Sequence, residues 1–542
     1  MRRFGTAIST VSIAVAAAVA VAVALCPSTA SARQPAPSPG TSCTGTDTWT
    51  SEAGDTLWST GGNWSTNAPP SATELAVLPT ATADNVELIA STQVCGLELD
   101  AETSLLVDSG QTLTAQSATV SGGPSANAYT QLAGQLVTTD LHVTSGHTSL
   151  SEADANVTVT DSATTFELDP GAHLVLADAQ TNLETTGTAT LGGHHVPAYL
   201  DSNSTSDGDD SARFLADAAV MLAGDVNSDG LDVITTAATT IDLDRHTWKI
   251  VGDAFSRFAD GTTLKSTTVG GVLAIGNLNH LLVLGTTSID VGAALSLQGS
   301  GTLSDGRWFA HSSAAPAHLT GAGHFAWANG DISGHVTLDS GLRTQADGSG
   351  ARVVQTPNTG ASTLTNAGKF TLTKGTVIVA DSGDSFVNTG TVVVTGGSFG
   401  ANSSAAPALN NAANAHWTVA LTHGATVSKV IDGSFRNQGT LTVADGTKFA
   451  VGNKFQQTSS GIAKLTVGST GSSRITAGAL SLNGLAHVYS APGYKPKTAT
   501  ATGLLDGTAR SGKFAHVVST TNRPGTKWHL SYHGARVDAS VH

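Results

Sequence analysis

Hydrophobic and polar residues alternate in short runs along most of this chain. "NVTVTD" (156–161), "HLVLAD" (173–178), "GTVIVAD" (375–381), "GTVVVTG" (390–396) and "GTLTVAD" (439–445) each place alternate apolar side chains on one face. A period of two over a few residues, bounded by Gly, Asp or Asn, predicts short strands with one buried face. After the first 32 residues no stretch carries apolar residues at the spacing of an amphipathic helix.

The strands recur at a fixed interval. Asn366 in "TLTNAGKFTL", Asn388 in "SFVNTGTVVV" and Asn410 in "ALNNAANAHWTV" are spaced by 22 residues, and Asn437 in "SFRNQGTLTV" follows 27 later. Gly368, Gly390 and Gly439 stand two places after an Asn, and Leu364, Phe386 and Phe435 two places before one. Units of about 20–22 residues with two or three strands predict the coils of a parallel β-helix, stacked at about 4.8 Å. Asn366, Asn388 and Asn410 are expected to lie above one another as a ladder of side-chain amides. A string of β-sandwiches would need hairpin turns and composition breaks, and the chain shows neither. The fold class is therefore all-β, a β-solenoid whose two ends must be capped because an open end exposes core and backbone edge.

"HFAWANGDISGHVTLDSG" (324–341) and the recurring Asn-x-Gly-x-Leu-x-Val units resemble the repeats of secreted bacterial right-handed parallel β-helix surface proteins, of the autotransporter-passenger and haemagglutinin kinds. The opening "TWTSEAGDTLWSTGGNWSTNAPPSATELAVLP" (48–79) is similar to their first module, and residues 503–542 to their last, with no translocator barrel in the sequence. The resemblance implies a right-handed helix and a surface-binding rod. The expected organisation is a signal peptide (1–32), a Pro/Ser-rich linker (33–46), a Trp-rich cap with first strands (47–96), the helix (97–490) and cap strands (491–542). Trp49, Trp58 and Trp64 are three of only eight tryptophans. They are expected to cover the first coil rather than to form a sugar platform.

Arg2 and Arg3, an apolar run from Ala7 to Leu25 and the small residues Ala30-Ser31-Ala32 have the layout of a secretory signal. The expected location is extracellular, with no membrane span after cleavage. Cys26 would leave with the signal. Cys43 and Cys95 then form an even pair in an oxidising compartment, and a disulfide between them is expected. The formal net charge of −15 becomes −17 when Arg2 and Arg3 are removed. That acidity argues against a nucleic-acid partner and against simple attachment to anionic polymers.

Candidate chemistry is sparse. In "GDVNSDGLDVI" (224–234), Asp225, Asn227, Asp229 and Asp232 match the first half of a calcium loop, but its twelfth position is Thr236 rather than Glu. No cofactor is required by the sequence, and Ca2+ is the one candidate ion. Asp209 and Asp210 in "SDGDD" are adjacent, so a strand would turn them to opposite faces. The histidines are scattered, with His194-His195 the one adjacent pair. The expected function is that of an exported, non-enzymatic, monomeric rod, adhesin-like or associated with the cell envelope. Its partner would be an extracellular polysaccharide or a cell-surface protein. The alternative is a secreted polysaccharide lyase or glycoside hydrolase with carboxylates converging from different coils.

Overall fold

Four-residue strands joined by tight turns build the molecule, because each alternating run is too short to do more than cross one face of a coil. Thr363–Asn366, Lys369–Leu372 and Thr376–Val379 make one coil. They pair in parallel with Ser385–Asn388, Thr391–Val394 and Ser398–Ala401 of the next. The structure, a computed structural model, describes residues 42–541 apart from short internal segments, the longest being 306–315, 422–430 and 203–210. Through 150–202 it describes the strand backbone and few side chains. The expected signal peptide and most of the linker lie outside the described residues.

The chain is a parallel β-solenoid with almost no helix. Through its middle, each strand pairs with the third strand onward, so each coil has three faces. Towards either end longer strands, such as Thr92–Leu99 and Arg474–Leu482, run through two successive faces without a break. Among the described strands, antiparallel ladders occur only at the C-terminus, where Arg536–Val541 pairs with both Ala499–Gly512 and Trp528–His533.

Inward residues stack into columns. Leu364, Phe386, Leu409, Phe435, Phe455 and Leu480 follow one another in register, and so do Phe370, Val392, Trp417 and Leu441. Aromatic rings from neighbouring columns meet edge-on or tilted, with centroids 5.1 Å apart for Phe399–Trp417 and 5.0 Å for Trp417–Phe435. Each such side chain, fully buried, contributes about 1.5–3 kcal/mol relative to exposure.

Beside the aromatic columns runs a ladder of buried amides. Asn366 Nδ2 donates to Asn388 Oδ1 at 2.8 Å, Asn388 Nδ2 to Asn411 Oδ1 at 2.9 Å, and Asn411 Nδ2 to Asn437 Oδ1 at 2.7 Å. Asn437 Nδ2 donates to Gln457 Oε1 at 2.8 Å. The third rung is thus Asn411 and not Asn410. Asn388 pairs with Asn411, while Asn410 pairs with Val387 on the outward side. A shift of one residue turns a strand side chain to the opposite face, so the 22-residue spacing selected the wrong member of "NN". Each second amide hydrogen reaches a backbone carbonyl, as from Asn388 Nδ2 to His416 O at 2.9 Å. All the amides therefore point the same way along the axis.

The glycines after the ladder have a separate cause. A Cβ on Gly390 would lie 2.2 Å from Ala367 O, and one on Gly439 2.3 Å from Ala412 O. Backbone carbonyls of the coil before press against these turns, so only Gly fits.

Arg352, also fully buried, binds three coils together. Its guanidinium donates to Trp327 O at 2.5 Å, Gly348 O at 2.6 Å and Lys374 O at 3.1 Å. Burial lowers its pKa, and the nearby Asp347 charge opposes that shift. It occupies an inward place of "ARVVQ", so alternation alone marks it as buried.

Candidate functional site

Cys43 and Cys95 are bonded, with Cα atoms 5.6 Å apart. The bridge ties the segment before the first strand, Gly45–Thr48, to the strand Thr92–Leu99. Trp49, Trp58 and Trp64 are all buried. Trp64 meets Trp49 at 5.1 Å and Trp58 at 4.7 Å, and its Nε1 donates to Trp58 O at 2.8 Å. Rings enclosed in this way fill the end of the core and offer no open face for sugar stacking. Asp47, also buried, accepts from Ser65 Oγ, Thr66 N–H and Thr66 Oγ1, which holds the loop over the end.

The segment 225–232 is a strand, a turn and a strand rather than a loop wrapped round an ion. Val226–Asp229 is extended, Gly230 turns with φ 68°, and Asp232–Thr235 begins the next face. Asp225, Asn227 and Asp229 stand at alternate outward places, so neighbouring members are roughly 6–7 Å apart along the strand. Asp232 lies beyond the turn and is buried. Two of the carboxylates have structural partners: Asp225 Oδ1 accepts Thr247 N–H at 2.8 Å, and Asp232 Oδ1 accepts Phe255 N–H at 2.6 Å. The four residues expected to surround Ca2+ are thus not brought to one point. Among the described residues no group of three or more His, Cys, Asp or Glu could hold a metal ion. Thr236, "SDGDD" and His194-His195 lie outside the described residues.

On the outer surface, a groove of about 420 Å3 crosses the turns at Val269–Val272, Val291–Ala294 and Ala322–His324, with Arg343 at its edge. Val269 and Val291 stand out from it, 78 % and 69 % exposed. His324, Arg343 and Lys369 follow one another outward in register beside it. The nearby acids are turned to the preceding face, where Asp339 lies 3.4 Å from His318 Nδ1 and Asp290 accepts from Ser288 Oγ at 3.3 Å. Three of the groove's glycine amides are already used, Gly270 N–H by Gly292 O, Gly271 N–H by Ser266 Oγ and Gly323 N–H by Ile289 O.

Sequence order and axial order coincide in a solenoid, so charge segregation along the chain becomes segregation along the rod. Residues 34–212 contain 22 Asp and Glu and neither Lys nor Arg. Residues 213–490 are nearly balanced, with 17 acids and 16 bases. Residues 491–542 contain 7 Lys and Arg against 2 Asp. The uniform acidity suggested by the net charge is therefore an average over opposite ends. No family model and no curated protein matches this chain.

Proposed function

We propose that the protein is an exported, non-enzymatic β-solenoid that works through its surface, as an adhesin-like or envelope-associated binding rod. One observation carries the reading. The buried amide ladder from Asn366 to Gln457, Arg352 and Asp232 bond to one another or to backbone of neighbouring coils, and Asp47 bonds to the cap loop. Their polarity supports rigidity and leaves the surface as the working part. The Cys43–Cys95 bridge supports an oxidising compartment, and the signal-like first residues support export. The partner is an extracellular polysaccharide or a cell-surface protein.

Incubation of the mature protein with a polysaccharide panel tests this. Retention on at least one polymer, with no release of reducing or unsaturated ends, is the expected result. Release of such ends would replace the binding rod by a carbohydrate-active enzyme.

A further inference from the structure

The C-terminal end differs from the rest of the rod in edge, charge and cover. His516–Thr520 is the last parallel strand on its face and pairs along one side only, with Leu485–Tyr489. His516 N–H donates to Gly484 O on that side. Strand alternation then turns Val517 N–H and Ser519 N–H to the unpaired side. Val517 and Val518 are 41 % and 45 % exposed. A groove of about 510 Å3 lies between this strand and Lys527–Leu530.

One cation lines it, and others lie on adjoining segments. Lys527 lines the groove. Arg523 is in the same turn, which is closed by Thr521 Oγ1 and Thr526 Oγ1 at 2.8 Å. Asn522 Nδ2 donates to Ala491 O and Tyr494 O, which brings this turn beside the segment carrying Lys495 and Lys497. Lys513 and Arg510 lie 5.3 and 5.1 Å from the centre of the Tyr532 ring. In register with Val518 stands His487, kept neutral by burial and by the charge of Lys464, which follows on the coil before. Of the two acids in this region, Asp538 is engaged by Arg536 Nε at 2.7 Å and by Gly503 N–H at 2.6 Å. Asp506 is exposed.

We propose that this C-terminal groove is the rod's attachment site, and that its ligand is a linear, carboxylate-bearing polysaccharide. The proposal rests on the binding-rod reading and names the surface and ligand class within it. The cations select an anion by charge complementarity. The two edge N–H groups are donors for carboxylate or hydroxyl oxygens along an extended chain, and Val518 provides an apolar contact for ring CH groups. Single-stranded nucleic acid is a poorer match because it needs open aromatic faces, and Trp528 here is buried. The charge gradient also sets the pose. At physiological salt, screening acts over about 8 Å, less than two coils. The basic end is therefore drawn to an anionic surface despite the net charge, while residues 34–212 are repelled and the rod projects outward.

The test uses the mature chain on immobilised polygalacturonate, with dextran as the neutral polymer and polyphosphate as a second polyanion. Binding to polygalacturonate at low salt, lost on raising NaCl, is expected, with little retention on dextran. Lys513→Gln/Arg523→Gln/Lys527→Gln should weaken it at least tenfold with the melting temperature unchanged. Arg343→Gln/Lys369→Gln, altering the other cation row, should leave it intact. Equal binding by the triple variant, equal retention on dextran, or binding to polyphosphate alone would each overturn the proposal. Binding of the parent to another polymer through other residues would overturn this site but keep the binding rod. Release of reducing or unsaturated ends would remove the rod reading itself.

Discussion

At the N-terminal end, the first strand Gly45–Thr48 is bonded on one side to Glu74–Val77 and is held by the loop that follows it. Ser65 N–H donates to Thr48 O, and Ser65 Oγ accepts Thr48 N–H. Three buried indoles and a disulfide complete the closure. At the C-terminal end, the antiparallel strands 528–541 cover part of the last coil and leave His516–Thr520 with one side unpaired. One end has no Lys or Arg for well over a hundred residues, and the other has a surplus of them. An unpaired edge is normally blunted because it invites pairing with other chains. The two ends therefore differ: one is sealed over the core, and the other leaves a strand edge unpaired beside Lys527.

Substitutions can break this comparison, and the largest effect belongs to the sealed end. Trp64→Ala should destabilise the first coils by about 3–5 kcal/mol, through lost burial and a cavity. Because distant coils of a solenoid unfold separately, the loss should appear in hydrogen exchange of residues 44–108 and not near 500–541. Loss of protection at both ends together would mean that the rod is one cooperative unit. Cys43→Ser/Cys95→Ser should cost about 4 kcal/mol on the loop-entropy argument, again confined to the N-terminal coils.

The ladder between the ends gives a smaller effect. Asn388→Ala removes the bond received from Asn366 and those given to Asn411 Oδ1 and His416 O, and should cost about 1–3 kcal/mol. Asn410→Ala, on the outward side, should stay within about 0.5 kcal/mol. Comparable losses in denaturant melts would contradict the assignment of Asn411 to the ladder. At the open end, Val518→Thr should change stability by no more than about 0.5 kcal/mol.

Acid should loosen the C-terminal strands. Burial works to raise the Asp538 pKa, but Gly503 N–H and Arg536 outweigh it and hold the value below the usual range. A depressed carboxylate pKa stabilises the fold above the unfolded value of about 3.9, and that contribution is lost as the pH falls through the lower folded value. Protection at Gly503 that is insensitive to pH between 5 and 2 would argue against this role.

Much of this was legible in the sequence. Alternation set the strands, the recurring Asn-x-Gly set the coil, and the Trp cluster with two cysteines marked the first cap. Two kinds of information were not legible. Coil length varies, with Asn388 to Asn411 spanning 23 residues and Asn411 to Asn437 spanning 26, so spacing alone misplaced one rung. Oxygen-rich spacing in 225–232 resembled a calcium loop because strand alternation and loop ligation both repeat every two residues. Only the backbone distinguishes them. The groove at Val269–Arg343 is formed by residues from different coils, which local patterns do not bring together, and the unpaired edge depends on which strand comes last on its face.

Residue-resolved hydrogen exchange of the ligand-free protein tests the difference between the two ends most directly. The amides of Val517 and Ser519 should exchange nearly as fast as exposed peptide groups, while that of Thr48 should be strongly protected. Strong protection at Val517 and Ser519 would mean that the C-terminal edge is covered, and the contrast between a sealed and an open end would be wrong.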